Sequence, residues 1–303
     1  MTRSNKGIYA WPRTVIGWKV EIPCEGNGVT VGSFLSTPRA SYECNATGQW
    51  ENLMTEHCPY TSATTKILEQ FSTVNISFTK LSLPKGSLLE TFKKLKNITG
   101  EGASLTDPVE VHFVTKTLEN YASNLIEEKE LGAMLLDVVN TLLNLPKPML
   151  KAAELQYGAC SRLLKTVELI VEATPSNQLL QLHKKNLALE EYRIKPETFA
   201  GLICTWYSNT NALNNKLLHC SMSNKSSIIS SNNGETTIET SIQLPASLFN
   251  SVMSTSNTYL LMISMYADNK LLPNINDQDN TDITSSIAGS KLSEFKLSKF
   301  CNY

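Results

Sequence analysis

Any chemistry in this chain must be carried by its cysteines, histidines and paired carboxylates. Cys204 lies sixteen residues before Cys220, and His219 stands directly beside the latter. A neighbouring imidazole can activate a thiol, so Cys204 and His219 admit a thiol enzyme as a remote reading. Two cysteines on neighbouring antiparallel strands also suit a disulfide, which is the preferred reading of Cys204 and Cys220; two buried thiols that merely pack are a third. The remaining histidines, His57, His112 and His183, are scattered. Glu127-Glu128 and Glu190-Glu191 are adjacent carboxylates. Neighbours on a helix or strand diverge, so these pairs are expected on solvated faces and not around one substrate. Cys24, Cys44 and Cys58 have only His57 nearby and no C-x-x-C, which argues for disulfides over zinc. No G-x-S-x-G, P-loop, H-E-x-x-H or G-x-G-x-x-G is present. The residues read as those of a non-enzyme without cofactor or metal.

The elements that would position these residues fall into three groups. Residues 8–60 hold Trp11-Pro12, Trp18, the three early cysteines and Gly48-x-Trp50 among short, Gly- and Pro-punctuated strands. So small a unit cannot bury enough apolar surface unaided, and it needs disulfides and stacked tryptophans, with Trp11 and Trp50 as its core. Residues 61–173 read as helices. Asp107-Pro108 with Glu110 gives a start signal, and Val111, Val114, Leu118, Tyr121 and Leu125 follow at helical spacing. Leu131, Met134, Leu135, Val138, Val139 and Leu142 form a second stripe, broken by Leu145-Pro-Lys-Pro148. Cys160, Leu163, Leu164, Val167, Ile170 and Val171 form a third, stopped at Thr174-Pro175. Short breaks imply antiparallel neighbours.

Beyond residue 186 the period changes to two. Ile238, Thr240, Ile242 and Leu244 alternate with Glu239, Ser241 and Gln243, which marks a strand with one buried face. Leu202, Cys204 and Trp206 share a face of another strand, with Ile203, Thr205 and Tyr207 opposite. Asn- and Ser-rich turns between such runs give an antiparallel β-sandwich. Residues 258–267 are apolar on both faces and end at the turn residues Asp268-Asn269, while residues 274–286 are polar enough to suggest a mobile loop.

Composition narrows the partners. The chain has 303 residues, a net charge of −1 and 41% hydrophobic residues. Without a Lys/Arg stripe, nucleic acid and anionic membrane are excluded as main partners. No run of 18 apolar residues occurs, so no segment reads as membrane-spanning. The first residues lack the apolar region of a secretory signal. Yet the chain carries sequons at Asn45, Asn75, Asn97 and Asn224, and its seven cysteines suit an oxidising compartment. An incomplete N-terminus reconciles the two.

The order of these parts resembles the hormone-receptor-motif domain followed by the GAIN domain of adhesion G-protein-coupled receptors, with subfamily A the best fit. WPRTVIGWKVEIPC at 11–24, ACSRLL at 159–164, NLALEEYRIKPETFAGLICT at 186–205 and TSIQLPASLF at 240–249 carry the likeness. The resemblance implies an α+β multidomain chain: a hormone-receptor-motif-like module at 8–60, a helical GAIN subdomain A-like part at 61–182, and an incomplete GAIN subdomain B-like β-sandwich at 183–303. It further implies non-enzymatic ligand binding and scaffolding at the outer side of the plasma membrane. The partner would be an extracellular protein ligand or co-receptor, with Wnt co-reception or planar polarity as the setting. A secreted soluble decoy is the alternative.

Two departures from the family pattern stand out. Tyr9 occupies the place of a module cysteine two residues before Trp11-Pro12. Family pairing then implies a Cys24–Cys58 disulfide and a free Cys44, and leaves Cys160 and Cys301 without assigned states. The Cys/Trp-rich proteolysis box and a His-Leu-Thr/Ser triplet are also missing, so self-cleavage is not expected. The chain is expected to be a fragment or shortened form of a receptor whose membrane-spanning part lies elsewhere. Residues 258–267 are then expected to be an under-covered strand prone to association.

Overall fold

A computed structural model of the chain describes residues 1–24, 38–74, 87–100, 105–123, 129–173, 181–209, 216–222, 236–248, 259–266 and 293–299. Among them the fold is mixed, with six helices and four small antiparallel sheets.

The first part is all β. Strands β1 (Thr2–Ser4) and β2 (Gly7–Tyr9) form a hairpin, and β3 (Lys19–Pro23), β4 (Arg39–Cys44) and β5 (Trp50–Met54) form a sheet with β4 in the middle. Tyr9, Cys24, Ala40 and Cys58 make its small core, with Trp11 and Ile22 packed against it. Trp11 stands 6.0 Å from Trp50 and 5.2 Å from Tyr42, and Tyr42 stacks on Trp50 at 5.1 Å. Both tryptophans are only part-buried, so they flank that core and do not fill it.

The middle is helical: α1 (Ala63–Thr73), α2 (Ser87–Thr99), α3 (Pro108–Ala122), α4 (Lys129–Leu142), α5 (Lys147–Tyr157) and α6 (Ala159–Glu172). Helix α3 is the hub, packing on α1, α5 and α6. Its start is fixed by a capping box: Asp107 accepts from the Val109 N–H, and Glu110 accepts from the Thr106 and Asp107 N–H groups. Glu110 also accepts from the Thr65 hydroxyl at 2.6 Å, which ties α1 to α3. The break expected at Leu145–Pro148 is present, with α4 ending at Leu142, and its second proline also opens α5, where Pro148 lies in the first turn and its missing N–H costs nothing. Gly158, at φ +63°, then reverses the chain between α5 and α6.

The last part holds two sheets, in the orders β6 (Gln181–His183), β7 (Leu187–Ile194), β11 (Tyr259–Tyr266), β12 (Ser293–Lys299) and β9 (Lys216–Ser221), β8 (Leu202–Asn209), β10 (Thr236–Leu244). Their facing side chains form one core: Ala188, Ile194, Leu261, Ile263 and Met265 from the first, and Leu202, Cys204, Trp206 and Leu218 from the second. The opposite face of the first sheet sends Leu187, Leu189, Met262 and Tyr266 into the helical core.

Three expectations are corrected. The strand at 258–267 is not under-covered: β11 pairs with both β7 and β12, and Leu261–Tyr266 are buried. Ile238 does not face inward with Ile242 and Leu244. A register shift between Ile238 and Thr240 sets Ile238 opposite Tyr207, and 55% of it is exposed. Glu190 and Glu191 are not on solvated faces. They diverge to opposite sides of β7, but β7 is covered on both, leaving them 4% and 3% exposed. Glu127-Glu128, residues 274–286 and Cys301 lie outside the described residues.

Candidate functional site

The thiol–imidazole reading fails on geometry. Cys204 on β8 and Cys220 on β9 are directly opposed in register, their Cα atoms 4.0 Å apart, and their sulfurs are bonded. His219 is exposed on the other face of β9, so no thiol remains at Cys204 for it to activate. A second disulfide joins Cys24 to Cys58, with Cα atoms 5.4 Å apart. Cys44 and Cys160 are free and buried. Burial, then the nearby Glu154, pushes the Cys160 thiol up to about 12, so it is inert at neutral pH. Among the described residues no group of three His, Cys, Asp or Glu could hold a metal ion.

The other titratable groups serve the fold. Glu190 accepts from the Tyr192 hydroxyl and lies 3.0 Å from His183 Nε2. Burial and this carboxylate push the Tyr192 hydroxyl far up. His112 stacks on Tyr157 with ring centroids 4.9 Å apart. Burial, then Arg162 and Lys116, holds its pKa below the usual histidine value. Asp137 on α4 binds Lys96 of α2 at 2.7 Å and Lys184 of the β6–β7 turn at 2.9 Å. Burial would raise its carboxyl, but these two lysines hold it below its ordinary range. Beside it, Asn186 donates its backbone N–H to Asn140 Oδ1 and its side-chain amide to Asn140 O and Asn144 Oδ1. These amides peg the β6–β7 hairpin to α4.

What remains is surface. In the loop before β3, Val15, Ile16 and Trp18 are 68%, 57% and 67% exposed. The loop is held in place by its backbone: the Gly17 N–H donates to the Cys44 carbonyl at 2.7 Å, and the Cys44 N–H donates to the Trp18 carbonyl at 3.0 Å. Gly17 has φ +82°, a conformation that disfavours side-chain-bearing residues, and there it turns the apolar side chains outward. Three large apolar groups on a fixed turn can bury against a partner and cannot by themselves do covalent chemistry. The sequence puts Trp18 in the module without assigning it to the core, which was expected of Trp11 and Trp50, and WPRTVIGWK holds no pattern that would reveal the exposure of this loop.

Of the sequon residues, Asn45 lies on the β4–β5 turn, where its Oδ1 accepts from Thr47 N, Thr47 Oγ1 and Gln49 N. Its Nδ2 donates to Glu51. Asn97 is exposed on α2, with the Thr99 hydroxyl donating to Leu95 O within the helix. Asn75 and Asn224 lie outside the described residues.

A family model described as "ADGRA3-like, GAIN domain" matches residues 62–173. Those bounds run from Ser62, the N-cap of α1, to Ala173, the C-cap of α6. Adhesion G protein-coupled receptor A3 of Danio rerio is 28% identical over 293 residues, covering 89% of this chain and 21% of that protein. The Homo sapiens A3 receptor is 26% identical over 309 residues, 91% of this chain and 23% of its own. Adhesion G protein-coupled receptor A2 of Mus musculus is 28% identical over 207 residues, 67% of this chain and 15% of its own. The chain matches the extracellular region of an adhesion G-protein-coupled receptor of the subfamily A type. It spans about a fifth of the length of the A3 receptors it matches. Among solved structures, "Full extracellular region of zebrafish Gpr126/Adgrg6" aligns with a TM-score of 0.51 at 14% identity, over 96% of this chain and 33% of that one; this likeness is of fold alone. Among the described residues no helix is long and apolar enough to cross a membrane.

Proposed function

We propose that the chain is the non-enzymatic, ligand-engaging extracellular part of an adhesion receptor. In this reading residues 8–60 are a hormone-receptor-motif-like module, 61–182 a GAIN subdomain A-like layer, and 183–303 a GAIN subdomain B-like sandwich. The observation that carries the reading is the coincidence of the family match with the caps of the helical layer, a cystine-bearing module preceding it and a two-sheet sandwich following. The partner is an extracellular protein ligand or co-receptor that buries Val15, Ile16 and Trp18. Wnt co-reception or planar polarity is the setting that the subfamily suggests. The chain works at the outer side of the plasma membrane, carries glycans at its sequons, and leaves membrane insertion to the rest of the receptor.

The experiment is secretion of the chain behind a signal peptide, followed by binding of the labelled product to cells. The expected result is saturable surface binding that drops tenfold or more in Trp18→Ala and Ile16→Asp, as loss of a buried aromatic anchor does, with unchanged melting. A product retained in the cell, or one without saturable binding, overturns the reading.

A further inference from the structure

The two joints of this molecule are built differently. Helices and first sheet share a single apolar core through Leu187, Leu189, Met262 and Tyr266. The cystine module instead has a small core of its own, separate from that one. One aromatic contact crosses the joint, Tyr60 meeting Phe113 of α3 edge-on at 5.6 Å, and the remaining ties are polar. Asn5, in the β1–β2 turn, donates its side-chain amide to Asp107 Oδ2 at 3.0 Å, using the oxygen that does not cap Val109. The Asn5 carbonyl accepts from both the Thr61 N–H and the Thr61 hydroxyl at 3.1 Å. Within the module, Lys6 donates to the Glu56 carbonyl at 2.6 Å and lies 4.7 Å over the Tyr60 ring, which fastens the hairpin to the module's last residues. Beside these contacts opens a cleft of about 690 Å³ lined by Arg3, Ile8, Ser62, Thr106 and Asp107, so the two surfaces do not close on each other.

We infer that the β1–β2 hairpin is a latch: the cystine module is pinned to the start of hub helix α3 by Asn5–Asp107 and the Asn5–Thr61 contacts, and this is the joint at which the molecule opens. Latched, the module is a rigid handle on α3. Unlatched, it swings on residues 59–61, just past Cys58, whose disulfide keeps it in the module, while helices and sheet stay fused. The inference needs no particular ligand for the module.

The test is amide exchange followed by mass spectrometry on the full chain, read at residues 55–61, whose Thr61 N–H is a latch donor, and at residues 108–122 as the control. Asn5→Ala should speed exchange at 55–61 about tenfold, the worth of a hydrogen bond to a charged group. Asn5→Asp, which sets two carboxylates face to face, should do at least as much. Adding Asp107→Asn to Asn5→Asp reverses donor and acceptor and keeps a good N-cap residue, so protection should return to within about twofold of wild type. Unchanged exchange at 55–61 in both single variants overturns the latch. So does a double variant without rescue, or one whose loss of protection lies in 108–122, since the effect would then belong to the helix cap.

Discussion

Replacing both Cys204 and Cys220 with alanine removes the one covalent tie between β8 and β9. Strand β9 is an edge strand, and Leu218 is its buried contribution to the sandwich core. The 16-residue separation closes a loop whose entropy in the unfolded chain is worth about 3 kcal/mol in the chain-entropy model. At roughly 2–4 °C per kcal/mol for a cooperative unit of helices and sheets together, its melting transition should fall by about 6–12 °C. Because β9 lies at an edge, its own amides at 216–221 should lose protection first, with β7 and β11 following only on global unfolding. Calorimetry and amide exchange on the double-alanine and wild-type chains give both readouts. The single variant Cys204→Ser should leave Cys220 open to alkylation under native conditions. Wild type that alkylates at both positions without reductant, or a double-alanine melting within 1 °C or so of wild type, would refute the reasoning.

Two further outcomes follow from packing and charge. The His112 pKa lies below its ordinary 6.5, so the unfolded chain binds a proton that the folded chain refuses. The stability this holds is present above about pH 6.5 and is lost as pH falls from there toward the depressed folded value. Melting of the helical layer should therefore drop between pH 7 and 5, and His112→Phe should flatten that slope; an unaltered slope assigns it to other groups. Asn186→Ala strips Asn140 O and Asn144 Oδ1 of their donor at a part-buried joint and should cost about 1–3 kcal/mol in denaturant unfolding. A loss under a few tenths of a kcal/mol would mean that water replaces the amide.

Local patterns carried much of this architecture. The stripes ending in Leu142 and Val171, the Asp107–Glu110 capping box and the buried face Leu202–Cys204–Trp206 are each written within one or two turns or strands of sequence. What escaped depends on neighbours remote in the chain. Helix α5 was hidden because Pro146 and Pro148 read as a stop, although a proline in the first turn permits a helix to begin. The burial of Glu190 and Glu191 requires knowing that β7 has helices on one side and a second sheet on the other. The outward turn of Ile238 rests on one bulge, which alternation cannot register. At the candidate surface, the loop from Val15 to Trp18 has the composition of a core; only the Gly17–Cys44 backbone pairing turns it to solvent.

Strand β7 belongs to two interiors at once, with Leu187 and Leu189 in the helical one and Ala188 and Ile194 in the other. The seam between helices and sheet therefore runs through shared hydrocarbon and is not a tether. Scission in the connection after Glu172 that carried the sheets away would bare the partners of Leu187, Leu189, Met262 and Tyr266. At about 1.5–3 kcal/mol for each buried side chain, those four represent roughly the whole margin by which a domain of this size is folded. A protease acting there would not liberate two working halves; it would leave a sticky remnant of helices and a sheet without its floor. The helical layer and the sheet stand or fall together.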